Sequence, residues 1–164
     1  MSKQLLILYH SLTGGSLQMA QAAQTGACTE AQVQTQLLHA TQAGTERLLA
    51  ADGYLFVTPE NLGSMSGMLK DFFDRSYYGA LGRIEGRPYA SLVCAGSDGQ
   101  GAARQIERIA MGWRLKPVAE PLICCTQAQT PQAIAAPKQI GDADLQRCQA
   151  LGQAMAAGLA LGIF

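Results

Sequence analysis

Five short apolar runs alternate along this chain with segments whose apolar residues recur every three or four positions. Leu5-Leu6-Ile7-Leu8-Tyr9 and Tyr54-Leu55-Phe56-Val57 carry no polar alternation, as expected of central strands buried on both faces. Ala90-Ser91-Leu92-Val93-Cys94 reads as a further inner strand. Val33 to Leu38 alternates, which suits a sheet edge. Val118 to Cys125 reads as a fifth strand, and Pro121 inside it also points to an edge, because proline donates nothing to a ladder. Helical spacing appears at Leu17, Ala20, Ala23 and Ala27, then in a short stretch from Glu46 to Ala51. It returns at Met68, Leu69, Phe72, Phe73 and Ser76, where the Ser64 to Ser66 hydroxyls supply a cap. Two more stripes follow, at Ala102, Ile106, Ile109, Ala110 and Trp113, and at Leu145, Cys148, Leu151, Met155 and Leu159. Gln127 to Gly141 is polar and contains proline, so it is expected to be a loop.

Strand and helix thus alternate five times, which predicts an α/β fold with helices on both faces of a parallel sheet. Right-handed crossovers and two edge strands leave the order 2-1-3-4-5, a three-layer sandwich. No repeat or linker interrupts the pattern, so residues 1–164 are expected to form one domain.

Parallel strands bring the loops at their carboxyl ends to one edge, where ligands of such sheets bind. Three of these loops are rich in glycine and hydroxyl groups. The first holds Ser11, Thr13, Gly14, Gly15 and Ser16. Its hydroxyls and the N–H groups of residues 12 to 16 suit a dianionic phosphate at a helix N-terminus, although it contains no Lys or Arg. Taken alone, it fits an ordinary capped turn equally well. It lacks both the Gly-Lys-Ser/Thr ending of a triphosphate loop and the Gly-x-Gly-x-x-Gly fingerprint for dinucleotides. The second loop runs through Pro59, Glu60, Asn61, Leu62, Gly63 and Ser64, with Gly63 allowing a flat ligand to approach closely. The third, with Gly96, Ser97, Asp98, Gly99 and Gly101, can offer N–H groups to ring carbonyls.

Composition narrows the classes. Charged residues make up only 15 % of the chain, and twelve basic residues balance twelve acidic ones. A neutral surface argues against nucleic acid as a partner. Cysteines at 28, 94, 124, 125 and 148 have neither the even count nor the spacing of a disulfide framework. Reduced, mostly buried thiols and a cytoplasmic location are the expectation. Only His10 and His39 are available beside them, so metal binding is not expected. The N-terminal apolar run is too short for a signal-peptide core. Ala150 to Phe164 is too short to span a membrane, and its small residues suggest close helix packing, in the core or across a homo-oligomer. His10, Trp113, Tyr77, Tyr78, Arg83 and Arg87 are read as structural or solvated. No catalytic acid, base or nucleophile stands out. The carboxylate cluster that a magnesium-dependent signalling receiver needs is also missing after the first and third strands.

The segment from Ala51 to Pro59, continuing from Gly63 to Asp74, resembles the flavodoxin-like FMN proteins, and among them the NAD(P)H-dependent FMN and quinone reductases. The first and third loops resemble that family's phosphate loop and second flavin-edge loop. The resemblance implies a flavodoxin-like fold. It implies that Ser11, Thr13, Gly14, Gly15 and Ser16 hold the FMN phosphate, with Pro59 to Ser64 along the isoalloxazine and Gly96 to Gly101 at its other edge. It also implies NAD(P)H as cosubstrate and a quinone, flavin or similar small molecule as electron acceptor. The alternative within the resemblance is a flavodoxin-type electron carrier, a class that is usually strongly acidic, unlike this chain. One departure is plain: where relatives often carry an aromatic residue after the second-loop proline, this chain has Glu60, Asn61 and Leu62.

Overall fold

A computed structural model describes residues 1–164. Its strands are β1 (Lys3–Tyr9), β2 (Val33–His39), β3 (Gly53–Asn61), β4 (Ser64–Met65), β5 (Pro88–Ala95), β6 (Lys116–Pro117) and β7 (Leu122–Cys125). Its α-helices are α1 (Gly15–Ala27), α2 (Thr45–Ala50), α3 (Gly67–Ala80), α4 (Gln100–Gly112), α5 (Pro131–Ala135) and α6 (Asp142–Leu161). The sheet runs β2-β1-β3-β5, with β6 and β7 both pairing parallel to β5 along its outer side. The flavodoxin-like α/β architecture follows, with the expected edges.

Alternation sorts the buried strands into two cores, because successive side chains of a strand point to opposite faces. Leu6, Leu8, Tyr54 and Phe56 pack with Leu48 of α2, Leu69 and Phe72 of α3, and Ile106 of α4. Leu5, Ile7, Leu55 and Val57 pack with Met19 of α1 and Cys148 and Met155 of α6. The apolar runs of β1 and β3 are continuous because both faces are covered.

Four expectations need correction. The fifth strand is not continuous from Val118 to Cys125; the pairing breaks into β6 and β7 around Pro121, which lacks the N–H a ladder requires. The second loop is largely a hairpin, with Glu60 opposite Met65 and Asn61 opposite Ser64. Gln127 to Gly141 is not all loop, since Thr130 caps α5 and Pro131 opens it. Met68 lies outside the buried stripe of α3, and of the two serines Ser66 alone caps that helix, accepting the Leu69 N–H.

The small residues of α6 are used inside the chain. A methyl group added at Gly152 would overlap the carbonyl of Ala23, and one at Gly26 the carbonyl of Gln149. Helices α1 and α6 therefore cross with their backbones in contact.

Candidate functional site

The carboxyl ends of β1, β3, β5 and β7 open onto a cleft of about 580 Å³. Thr13 of the first loop, Pro59 to Leu62 of the second and Gly96 of the third all line it. Ser11, Gly14, Gly15 and Ser16 complete the first loop beside Thr13 and open α1. Gly14 adopts φ 92°, a left-handed conformation suited to glycine, and its N–H donates to the Ser11 hydroxyl at 3.2 Å. No side chain caps α1. Its first backbone bond runs from the Gln18 N–H to the Gly14 carbonyl, which leaves the N–H groups of Gly15, Ser16 and Leu17 without a backbone partner. The Ser16 hydroxyl is buried and also unpartnered. Orphaned donors around the positive end of a thirteen-residue helix are what an anion site presents.

The second loop gains its shape from a two-residue turn. Leu62 at φ 53° and Gly63 at φ 70° make a primed turn, for which Asn-Gly is the usual choice. A leucine held there costs about 1 kcal/mol in backbone strain, and its side chain is fully exposed on the rim of the cleft. Leu12, also exposed, lines the same cleft from the first loop. Two leucines thus offer apolar contact where no aromatic residue is present.

Glu60 lines the cleft too, yet its carboxylate is engaged elsewhere. It accepts the Gly99 N–H at 2.9 Å and the Ala102 N–H at 3.2 Å, capping α4 from a different loop. Gly99, at φ 88°, has no side chain to cap the helix itself. Gly101 has no room for a methyl against the Gly63 carbonyl, and the Ser64 hydroxyl bonds the Gln105 carboxamide at 3.0 Å. The structure therefore places Gly63, Ser64, Gly99 and Gly101 at the seam between hairpin and α4, while Ser97 and Asp98 are exposed. We expect Glu60→Ala to lower stability by about 1–2 kcal/mol, the cost of a lost helix cap, with Glu60→Gln losing less. Urea unfolding checks this; equal midpoints for alanine and wild type would rule the latch out.

Sequence reasoning missed the segment after β7. Thr126, Ala128, Ile134, Ala135 and Lys138 form one wall of the cleft. Gln18 ties this strap to the first loop: its Nε2 donates to the Gly14 and Lys138 carbonyls, and its Oε1 accepts the Ile140 N–H. The Lys138 N–H donates to the Thr13 carbonyl at 2.8 Å. One signal was available: β7 is parallel, so its carboxyl end had to reach the same edge as the other three.

Beneath the first loop lies Cys94, whose Sγ stands 2.6 Å from where a Gly15 methyl would be. Burial pushes this thiol up to about 11, reinforced by Cys124 and opposed by the Lys138 ammonium, so it is inert packing at neutral pH. His10 is held below the usual imidazole value by burial and then by His39, 5.4 Å away ring to ring. Arg87 is structural, with its Nη1 donating to carbonyls at the end of α2 and to the Tyr54 hydroxyl. Tyr77 and Tyr78 are exposed, and no helix is long and apolar enough to cross a membrane.

Fold and cleft define a flavodoxin-like α/β protein with a loop of unpartnered donors at the head of an apolar groove. The sequence model of NADPH-dependent FMN reductases matches residues 11–130, and the chain belongs to that family. A flavodoxin from Aquifex aeolicus is 31 % identical over 60 % of this chain and 53 % of its own length. An NAD(P)H dehydrogenase (quinone) from Acidithiobacillus ferrooxidans is 30 % identical over 44 % of this chain and 46 % of its own. These matches span about half the length of either relative. An archaeal flavodoxin structure superposes with a TM-score of 0.76 at 18 % identity, over 95 % of this chain and 98 % of that one. FMN fits the donors present: the orphaned Ser16 hydroxyl and free N–H groups suit its phosphate, and the leucine-lined cleft suits its ring.

Proposed function

We propose that this chain is an FMN-dependent oxidoreductase that takes hydride from NAD(P)H and reduces a quinone, a flavin or a similar small acceptor. The observation that carries the reading is the buried, unpartnered Ser16 hydroxyl at the uncapped start of α1, heading a cleft of about 580 Å³. Bound there, FMN supplies the hydride and electron chemistry, for which the protein need provide only position and electrostatics. Ser11, Thr13 and Ser16, with the N–H groups of residues 15 to 17, hold the phosphate. Pro59 to Leu62 and Gly96 border the ring, and Leu12 and Leu62 keep water from its faces. No side chain in the cleft is needed as an acid or base, consistent with Glu60 being committed to α4. Free thiols at all five cysteines suit a reducing, cytoplasmic setting.

The likeness to a flavodoxin favours a second reading, an electron carrier with bound FMN and no pyridine-nucleotide activity. Net charge zero weighs against it, because charge steers carriers to their partners. Anaerobic titration of FMN-loaded protein with NADH and then NADPH, followed by flavin absorbance, separates the two. Rapid bleaching by either donor supports the reductase. Bleaching by dithionite alone supports the carrier. Failure to bind FMN at all removes both.

A further inference from the structure

We propose that Lys138 is the counter-cation of the flavin phosphate, delivered by the strap after β7 to a loop that has no basic residue of its own. This rests on the FMN reading above. Residues 11 to 16 contain no basic side chain, so the loop by itself meets a dianion with hydroxyls, N–H groups and a helix dipole only. Among the residues lining the cleft, Lys138 is the one cation and Glu60 the one anion. The Glu60 carboxylate is held by N–H groups of α4, and the Lys138 ammonium has only neutral carbonyl partners, with no carboxylate paired to it.

Three contacts fix Lys138 against the phosphate loop. Its N–H donates to the Thr13 carbonyl at 2.8 Å. Its carbonyl accepts from Gln18 Nε2 at 2.8 Å, and the same amide group also holds the Gly14 carbonyl at 3.1 Å. Its Cβ lies 3.4 Å from the position a Gly15 methyl would take, so the stem starts one residue from the orphaned Ser16 hydroxyl. The ammonium donates to the carbonyls of Ala133, Ile134 and Ala136 at 2.6 to 2.9 Å. These neutral acceptors belong to the end of a five-residue helix. An ammonium has three donors on a rotatable stem, and a phosphate oxygen carrying full charge displaces one neutral carbonyl.

The consequence is a preference for FMN over riboflavin that depends on salt. Both ligands are titrated by flavin fluorescence against wild type, Lys138→Met, Lys138→Arg and Thr130→Ala, at low and raised ionic strength. Losing one charge-assisted bond should weaken FMN about tenfold or more in Lys138→Met, leave riboflavin unchanged and flatten the salt dependence of FMN binding. Lys138→Arg should keep the wild-type preference. Thr130→Ala removes the α5 cap without touching the charge and should also keep it. Equal weakening of both ligands in Lys138→Met, or a loss of FMN preference in Thr130→Ala, means that strap packing is at work and overturns the proposal. Wild type that binds FMN, with Lys138→Met binding it as well, overturns the role of Lys138 alone. Wild type that binds neither ligand overturns the FMN reading together with it.

Discussion

Gly152→Ala is expected to destabilise the protein by about 1–2 kcal/mol, although alanine is the better helix former. Alanine in a helix interior gains up to about 1 kcal/mol over glycine. Against that stands a methyl group driven into the Ala23 backbone carbonyl, which no side-chain rotamer can relieve. Overpacking of this kind costs about 1–3 kcal/mol or more, because rigid elements must move apart. Here α1 and α6 would separate, opening the core around Met19, Cys148 and Met155. The contact is reciprocal, with Gly26 seated on the Gln149 carbonyl, so Gly26→Ala should have a similar cost. Gly112 at the end of α4 provides the contrast, since a methyl there meets nothing within 4 Å. Gly112→Ala should be neutral or slightly stabilising. Urea midpoints with unchanged slopes decide the matter. A Gly152→Ala midpoint at or above wild type would show that the helices do not touch as described.

The second large effect has opposite signs in stability and binding. Ser16→Ala removes a buried hydroxyl that has no partner within the chain. Leaving such a group unsatisfied costs about 1–3 kcal/mol, so the variant without ligand should be more stable than wild type by about 1 kcal/mol. In the proposed function the same hydroxyl meets the FMN phosphate, so its loss should weaken FMN by about tenfold. In thermal melts the two curves should cross: the variant melts higher without FMN and gains less when FMN is added. Riboflavin, with no phosphate, should bind both proteins alike. A variant that is less stable without ligand, or that binds FMN as wild type does, would assign the hydroxyl to packing.

The sequence alone determined which residues form the layers and at which edge of the sheet the cleft lies. Continuous apolar runs at Leu5–Tyr9 and Tyr54–Val57 can be buried only between two helical layers, and parallel order then gathers the loops after β1, β3 and β5. Those inferences need only local periodicity and the chirality of crossovers. The loops' internal division of labour was not legible. Nothing in the spacing of Glu60 from Gly99, thirty-nine residues apart, announces that a residue lining the cleft also caps α4 with its carboxylate. Nor does position 138 announce a lysine whose Cβ packs beside Gly15, since that contact runs through the Gln18 clamp, 120 residues away. The same limit applies to Gly26 and Gly152, whose small size has meaning only once α1 and α6 cross. Element identity is set by neighbours within a turn or a pleat, and so it is written along the chain. Which donor meets which acceptor across loops, and which glycine meets which carbonyl, is set by how the finished layers sit against one another.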